Sequence, residues 1–289
     1  ELVALDEKQT AAEAARLALS HTGVGYPAAD SESRTTLQAA IDAADATVES
    51  INAAITAYQA NTQTVQMPEV GKVYRLVSGL FKTKKAIYSN NTELRWQNRD
   101  VNAMNQLWTV LSISGNNITL INVNDGLYPQ KSDWNTPVMI TVAKNECSLE
   151  FLGKGQFQIK ANKLQGMHAN NHGGGAGTSG NIINYNTGAD GASAWCFEEV
   201  AVTKAILAKQ IASITNSYTT NSLLIKQEGL TDLKTAVAEA QSVHDSDGNF
   251  ADALTSLATA MNGAAIDCID FGYFYLKSRG AQKYAYNDN

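Results

Sequence analysis

Leu37, Ile41, Ala44, Val48, Ile51, Ile55 and Tyr58 follow one another at steps of 4, 3, 4, 3, 4 and 3 residues. That spacing keeps them on one face of a helix, and it predicts a single long helix behind an N-cap at Asp30 or Ser31. An Ala-rich stretch from Leu5 to Leu19 predicts a helix before it. Between the two lies Gly23-Val24-Gly25-Tyr26-Pro27, where two glycines and a proline break helical structure. After Met67-Pro68 the period shortens, and from Val73 to Val200 short β-rich runs are separated by Gly, Asn and Asp. Helical spacing then returns at Leu207, Ile211, Ile214 and Tyr218, at Leu233, Val237 and Ala240, and at Leu254, Leu257 and Met261. Residues 36–44 resemble residues 232–240, so the second helical segment reads as a copy of the first.

The β-rich stretch repeats internally. Ala86-Ile87-Tyr88-Ser89-Asn90, Gly126-Leu127-Tyr128-Pro129-Gln130 and Gly166-Met167-His168-Ala169-Asn170 share one pattern: small, aliphatic or Met, ring, small, amide. Their ring positions, 88, 128 and 168, lie 40 apart. A strand precedes each (Val73 to Ser78, Ile118 to Val123, Phe157 to Ala161), and two follow, the last being Leu107 to Ile113, Ser148 to Leu152 and Ala194 to Val200. Trp108, Leu149 and Trp195 correspond in that last strand, as do Val110, Phe151 and Phe197. Alternation with Val110 and Phe197 assigns Trp108 and Trp195 to a core. Three repeats of four strands make twelve, the count of a β-trefoil. The predicted architecture is therefore α+β and multidomain: a helical segment over 1–66, a β-trefoil over 71–200 and a second helical hairpin or bundle over 201–270. Residues 271–289 echo the first two trefoil strands, with Leu276 standing to Leu76 as the start of a second unit, so the chain is expected to be part of a longer modular protein.

Composition narrows the partners. Charged residues are only 17% and the net charge is −6 with no basic stripe, which argues against a nucleic-acid partner. No apolar run approaches the roughly 18 residues of a membrane span. Cys147, Cys196 and Cys268 have no metal-type spacing, and an odd count argues against a disulfide framework while leaving room for one pair. The first residue is Glu1 rather than Met, so an upstream segment, such as a signal peptide, is expected to have been removed.

Asn105-Gln106-Leu107-Trp108-Thr109 matches the Gln-x-Trp signature of ricin-B-type lectin repeats, and Ser114-Gly115-Asn116-Asn117-Ile118-Thr119 continues as such repeats do. Ser193-Ala194-Trp195 keeps the Trp and loses the Gln; Cys147-Ser148-Leu149 keeps neither. Residues 71–200 thus resemble a ricin-B-type β-trefoil lectin domain. The Ala-rich segments resemble the FIVAR-like helical modules of secreted and surface carbohydrate-active proteins of gut-type bacteria. The resemblance implies an extracellular or cell-surface, non-catalytic carbohydrate-binding module whose partner is a glycan or glycoprotein. It also implies an Asp on each second strand to grip sugar hydroxyls, and a third-strand ring to stack on the sugar. The second-strand positions here hold Tyr88, Tyr128 and His168, none of them Asp, so the galactose-type grip is not carried over. Third-strand rings persist as Trp96 and Tyr185, while Trp134 lies just before its strand.

Glycan recognition needs a flat ring against the C–H face of a pyranose and planar amides for paired hydroxyls. Tyr88, Asn90 and Trp96 offer these in repeat one; His168, Asn170, Tyr185 and Asn186 offer them in repeat three. The competing reading has the rings packing the barrel cap and the amides satisfying turn backbone. His168 and His172 lack a third ligand, so no metal is expected. Asp245-Ser246-Asp247-Gly248-Asn249 has its glycine at the wrong position for a calcium loop and reads as a turn between helices. Residues Gly173 to Gly180 form no phosphate cradle, and no cofactor is implied. Glu198 and Glu199 are strand neighbours that point to opposite faces, and none of the four His has a triad partner motif. An enzyme is the last of the readings, after a spacer or adhesion module with a protein-interaction surface and after a protease inhibitor.

Overall fold

The computed structural model describes residues 2–20, 32–60, 67–79, 85–153, 155–170, 179–185, 191–220 and 225–266. Three helices come first: α1 (Leu2–Ser20), α2 (Glu32–Asp42) and α3 (Val48–Ala60). The long helix expected across residues 37–58 is broken at 43–47. The cause is local. Thr47 Oγ1 accepts the Ser50 amide at 3.1 Å while Ser50 Oγ accepts the Thr47 amide at 2.9 Å, a reciprocal cap that starts α3 afresh. Leu37 and Ile41 of α2, Ile51, Ala54 and Tyr58 of α3 and Ala11, Ala12 and Ala15 of α1 bury one another in a core of their own. The Tyr58 hydroxyl ties α3 to α1 by donating to the Ala18 carbonyl at 2.9 Å.

Twelve strands follow. They are β1 (Val73–Ser78), β2 (Lys85–Ser89), β3 (Leu94–Asn98), β4 (Leu107–Ser114), β5 (Asn117–Asn122), β6 (Tyr128–Pro129), β7 (Ile140–Thr141), β8 (Glu146–Gly153), β9 (Gln156–Lys160), β10 (Gly166–Ala169), β11 (Ser179–Tyr185) and β12 (Trp195–Val200). Antiparallel pairings β1–β4, β4–β5, β5–β8, β8–β9, β9–β12 and β12–β1 close a ring. The remaining strands form the hairpins β2–β3, β6–β7 and β10–β11. A six-stranded barrel with one hairpin per repeat is a β-trefoil. Its core takes Trp108, Val110, Leu149, Phe157 and Trp195 from the barrel and Ile87, Leu94 and Met167 from the hairpins. Gln106 of the Gln-x-Trp run is buried: its Nε2 donates to the Asn98 carbonyl at 2.8 Å and its Oε1 accepts the Asp100 amide at 2.9 Å. That side chain therefore locks the turn between β3 and β4.

The chain ends its described part in α4 (Lys204–Thr220), α5 (Gln227–Asp245) and α6 (Phe250–Ala264). As expected, the run of residues 245–249 connects two helices: residues 246–249 form the turn, in which Asn249 Oδ1 caps α6 through the amides of Ala251 and Asp252. These helices share a second core with Val73, Leu107, Leu111, Ile121, Val123 and Tyr128 of the trefoil. Strand β4 is thus buried on both faces, Trp108 and Val110 toward the barrel and Leu107 and Leu111 toward the helices, which explains why apolar residues occur at both parities along it. A buried polar pair crosses this interface: Thr109 Oγ1 donates to Gln210 Oε1 at 2.6 Å. Gly71 sits so close to α6 that a Cβ there would lie 2.2 Å from Thr255 Oγ1, and its φ of 81° is left-handed. Only glycine meets both demands.

Candidate functional site

The clearest candidate site lies where the second repeat meets the third. Strands β10 and β11 pair in the register His168↔Ile183 and Gly166↔Tyr185, which brings two half-buried rings diagonally together. The His168 and Tyr185 ring centroids are 5.2 Å apart. His168 Nδ1 is 2.9 Å from Ser193 Oγ, which fixes the imidazole. A third ring arrives from repeat two. The chain before β7 runs antiparallel to β11, with Pro137 bridged to Ile183, the Val138 amide donating to the Ile182 carbonyl at 2.8 Å and the Asn135 amide donating to the Asn184 carbonyl at 2.7 Å. This places Trp134 beside Tyr185, with centroids 6.0 Å apart and planes inclined by 20°. Trp134 keeps 55% of its surface exposed.

The loop that carries Trp134 is held from beneath. The Ser132 carbonyl accepts Nδ2 of both Asn184 and Asn162, each at 2.9 Å. Asn184 Nδ2 also reaches Ser132 Oγ at 2.5 Å. Asn135 takes a left-handed φ of 57°, a conformation that asparagine tolerates, and Thr136 Oγ1 donates to the Asp133 carbonyl at 2.7 Å. The indole is therefore presented on a fixed loop.

The other expected residues divide. Trp96 does not offer a ring to a sugar: it is 0% exposed. Period-two alternation along β3 turns Leu94 and Trp96 inward and leaves Arg95 and Gln97 outward. Its Nε1 donates to the Asn170 carbonyl at 2.9 Å, Lys85 Nζ stands 5.4 Å from its ring centroid, and a Cβ on Gly180 would lie 2.6 Å from Nε1. Trp96 is a core residue that joins the β2–β3 and β10–β11 hairpins. Asn90 is exposed, with its Oδ1 accepting the amides of Thr92 at 3.0 Å and Glu93 at 2.8 Å, so its acceptor serves the turn. Tyr88 is half-buried and pairs across the strand with Arg95, whose guanidinium Glu93 holds above its ordinary value through a 2.9 Å hydrogen bond. Asn170 is half-buried, and its amide donates to the Asn181 carbonyl at 3.0 Å. Asn186 and His172 lie outside the described residues.

The boundary between the first and second repeats is built differently. Asp125 Oδ2 accepts the Ser89 hydroxyl and its Oδ1 accepts the Leu127 amide at 3.0 Å. Burial raises this carboxyl above the usual range, and the two hydrogen bonds oppose the rise. Two concavities elsewhere among the described residues are worth comparing with the ring site. One of about 280 Å³ at the barrel end is lined by Met67, Pro68, Tyr74, Phe157, Phe197 and Glu199. The other, of about 670 Å³, runs between α5 and α6, with Glu228, Asp232 and Glu239 on the α5 side and Thr255, Thr259 and Gly263 on the α6 side. Among the described residues, no three His, Cys, Asp or Glu side chains come together as a metal site. No described helix is long and apolar enough to cross a membrane.

Just under half of the chain is similar to solved structures, lectins among them. The Macrolepiota procera ricin B-like lectin, solved with lactose, covers 47% of this chain with 100% of its own at 14% identity and a TM-score of 0.41. The Rhizoctonia solani agglutinin covers 48% with 100% of its own at 21% identity and a TM-score of 0.40. The designed threefold-symmetric protein ThreeFoil covers 44% with 99% of its own at 15% identity and a TM-score of 0.38. No family model and no curated protein sequence matches the chain. It is the closed ring of strand pairings that makes the domain a trefoil.

Proposed function

We propose that this protein is a non-catalytic carbohydrate-binding module of a secreted or cell-surface protein, with a glycan or glycoprotein as its partner. The observation that carries the reading is the row of rings, His168, Tyr185 and Trp134, on an accessible part of the trefoil. Flat rings with polar edges suit the apolar face of a pyranose and the hydroxyls around it. In this reading the helical segments are FIVAR-like spacers, and the module is ancillary to a larger carbohydrate-active protein. A glycan array followed by calorimetric titration tests it. Tyr185→Ala and His168→Ala should each weaken binding by about 2- to 12-fold, the worth of one ring contact of about 0.5–1.5 kcal/mol. No glycan bound, or both variants binding as the parent does, would remove the reading.

A spacer or adhesion module without sugar binding is the second reading, favoured by the groove between α5 and α6. Glu228, Asp232 and Glu239 stand along one line of α5 beside a floor of Gly229, Ala236, Ala260 and Ala264. Small side chains allow a helix to approach closely, and three carboxylates on one edge suit a partner helix rich in Lys or Arg.

A further inference from the structure

We infer that the ligand of the aromatic site is an oligosaccharide of at least two units, laid across the boundary of the second and third repeats from His168 toward Trp134. This rests on the glycan reading and adds a length to it. One pyranose covers about one side-chain ring. His168 and Tyr185, 5.2 Å apart, come from β10 and β11 and together make a contact of single-sugar size. Trp134, brought from the second repeat, stacks against Tyr185 with centroids 6.0 Å apart and planes inclined by 20°. More than half of the indole surface stays open for a second unit.

The indole is placed for contact, and two features say so. It remains 55% exposed although Tyr185 lies against it, so packing on the protein accounts for less than half of its surface. Its loop is held by hydrogen bonds from Asn162 and Asn184 to Ser132, and Asn184 is itself fully buried. A large ring on a rigid loop adds contact area at little cost in conformational entropy. Sequence alignment of the repeats could not have suggested this subsite, since Trp134 belongs to repeat two and serves a ring of repeat three.

Three ladders of sugars serve as calorimetric probes for the full chain: glucose, cellobiose and cellotriose; N-acetylglucosamine, chitobiose and chitotriose; galactose and lactose. In a ladder that binds, the disaccharide should bind at least about 5-fold more tightly than the monosaccharide. Trp134→Ala should abolish that gain, costing the disaccharide more affinity than the monosaccharide, while Tyr185→Ala weakens both alike. Trp134→Phe should restore part of the gain, which a merely structural defect would not allow. Equal affinities for mono- and disaccharide, or a gain that survives Trp134→Ala, would overturn the inference and leave the glycan reading standing. Silence across all three ladders would overturn both.

Discussion

Tyr128 and His168 occupy the same place, the second strand of successive repeats 40 residues apart, and the fold uses them in opposite ways. Tyr128 is 0% exposed and belongs to the core shared with Ile206, Leu207, Ile211 and Ile214 of α4. His168 is half-buried at the edge of a surface row of rings. The backbone differs little, since each ring sits in a two-stranded antiparallel hairpin. What differs is the neighbour. α4 lies against the turn before β6, where a Cβ on Gly126 would come within 3.0 Å of the Ser213 carbonyl oxygen. The same docking that gives the helices a hydrophobic core takes the second-strand ring of the second repeat, Tyr128, out of use as a ligand contact. Threefold sequence symmetry therefore does not mean three equivalent sites.

The largest expected effect is on Tyr128. Tyr128→Ala opens a cavity in a packed core and should cost about 3–5 kcal/mol of stability. His168→Ala loses mainly the contact with Ser193 and should cost about 1 kcal/mol. Urea titrations of both variants measure the difference. Equal losses would mean that the third repeat is as deeply packed as the second, and the contrast would fail.

Trp96 and Trp134 show where the sequence stopped being legible. The 40-residue register, the twelve strands and the burial of Trp108 and Trp195 all follow from patterns of local alternation, and residues a strand apart carry that information. The ring position that the family resemblance gives Trp96 conflicts with the parity of β3, along which Leu94 and Trp96 must share a face. The role of Trp134 is hidden in the sequence because its partner, Tyr185, lies 51 residues on, and the pairing depends on an irregular segment that no periodicity announces. A Trp framed by Ser132, Asp133 and Asn135 was the one available signal. The break at residues 43–47 was likewise hidden, because α2 and α3 both keep their apolar spacing across it. The Thr47-to-Ser50 cap would have revealed it.

A smaller effect should separate the covered turn from an open one. Gly126 has φ 71° and Gly115 has φ 57°, so an alanine at either adopts a left-handed conformation at about 1–2 kcal/mol. Beyond that strain, a Cβ at Gly115 meets nothing within 4 Å, whereas one at Gly126 presses on α4. Gly126→Ala should therefore be the more destabilising of the two by about 1 kcal/mol. Comparable unfolding midpoints would show that α4 yields easily, and that the cover on repeat two is loose.

The smallest effect at neutral pH concerns two thiols on corresponding fourth strands, Cys147 on β8 and Cys196 on β12. Cys147 is fully buried, Cys196 half-buried. Burial, helped by the charge of Glu146, pushes the Cys147 thiol from 9.0 up to about 12. The thiolate is the reactive form, so at pH 8 Cys147 should resist a disulfide reagent while Cys196 reacts, measured in a Cys268→Ser background. Equal rates would mean that β8 opens as readily as β12. The same shift sets a pH dependence. Below pH 9.0 both folded and unfolded chains hold the proton, and the contribution to stability is complete. Between 9.0 and about 12 the unfolded chain releases it first, so the unfolded state binds fewer protons and stability falls as pH rises. Cys147→Val should flatten that decline without shifting the unfolding midpoint at pH 7 by more than the roughly 1 kcal/mol expected of a volume-conserving core exchange.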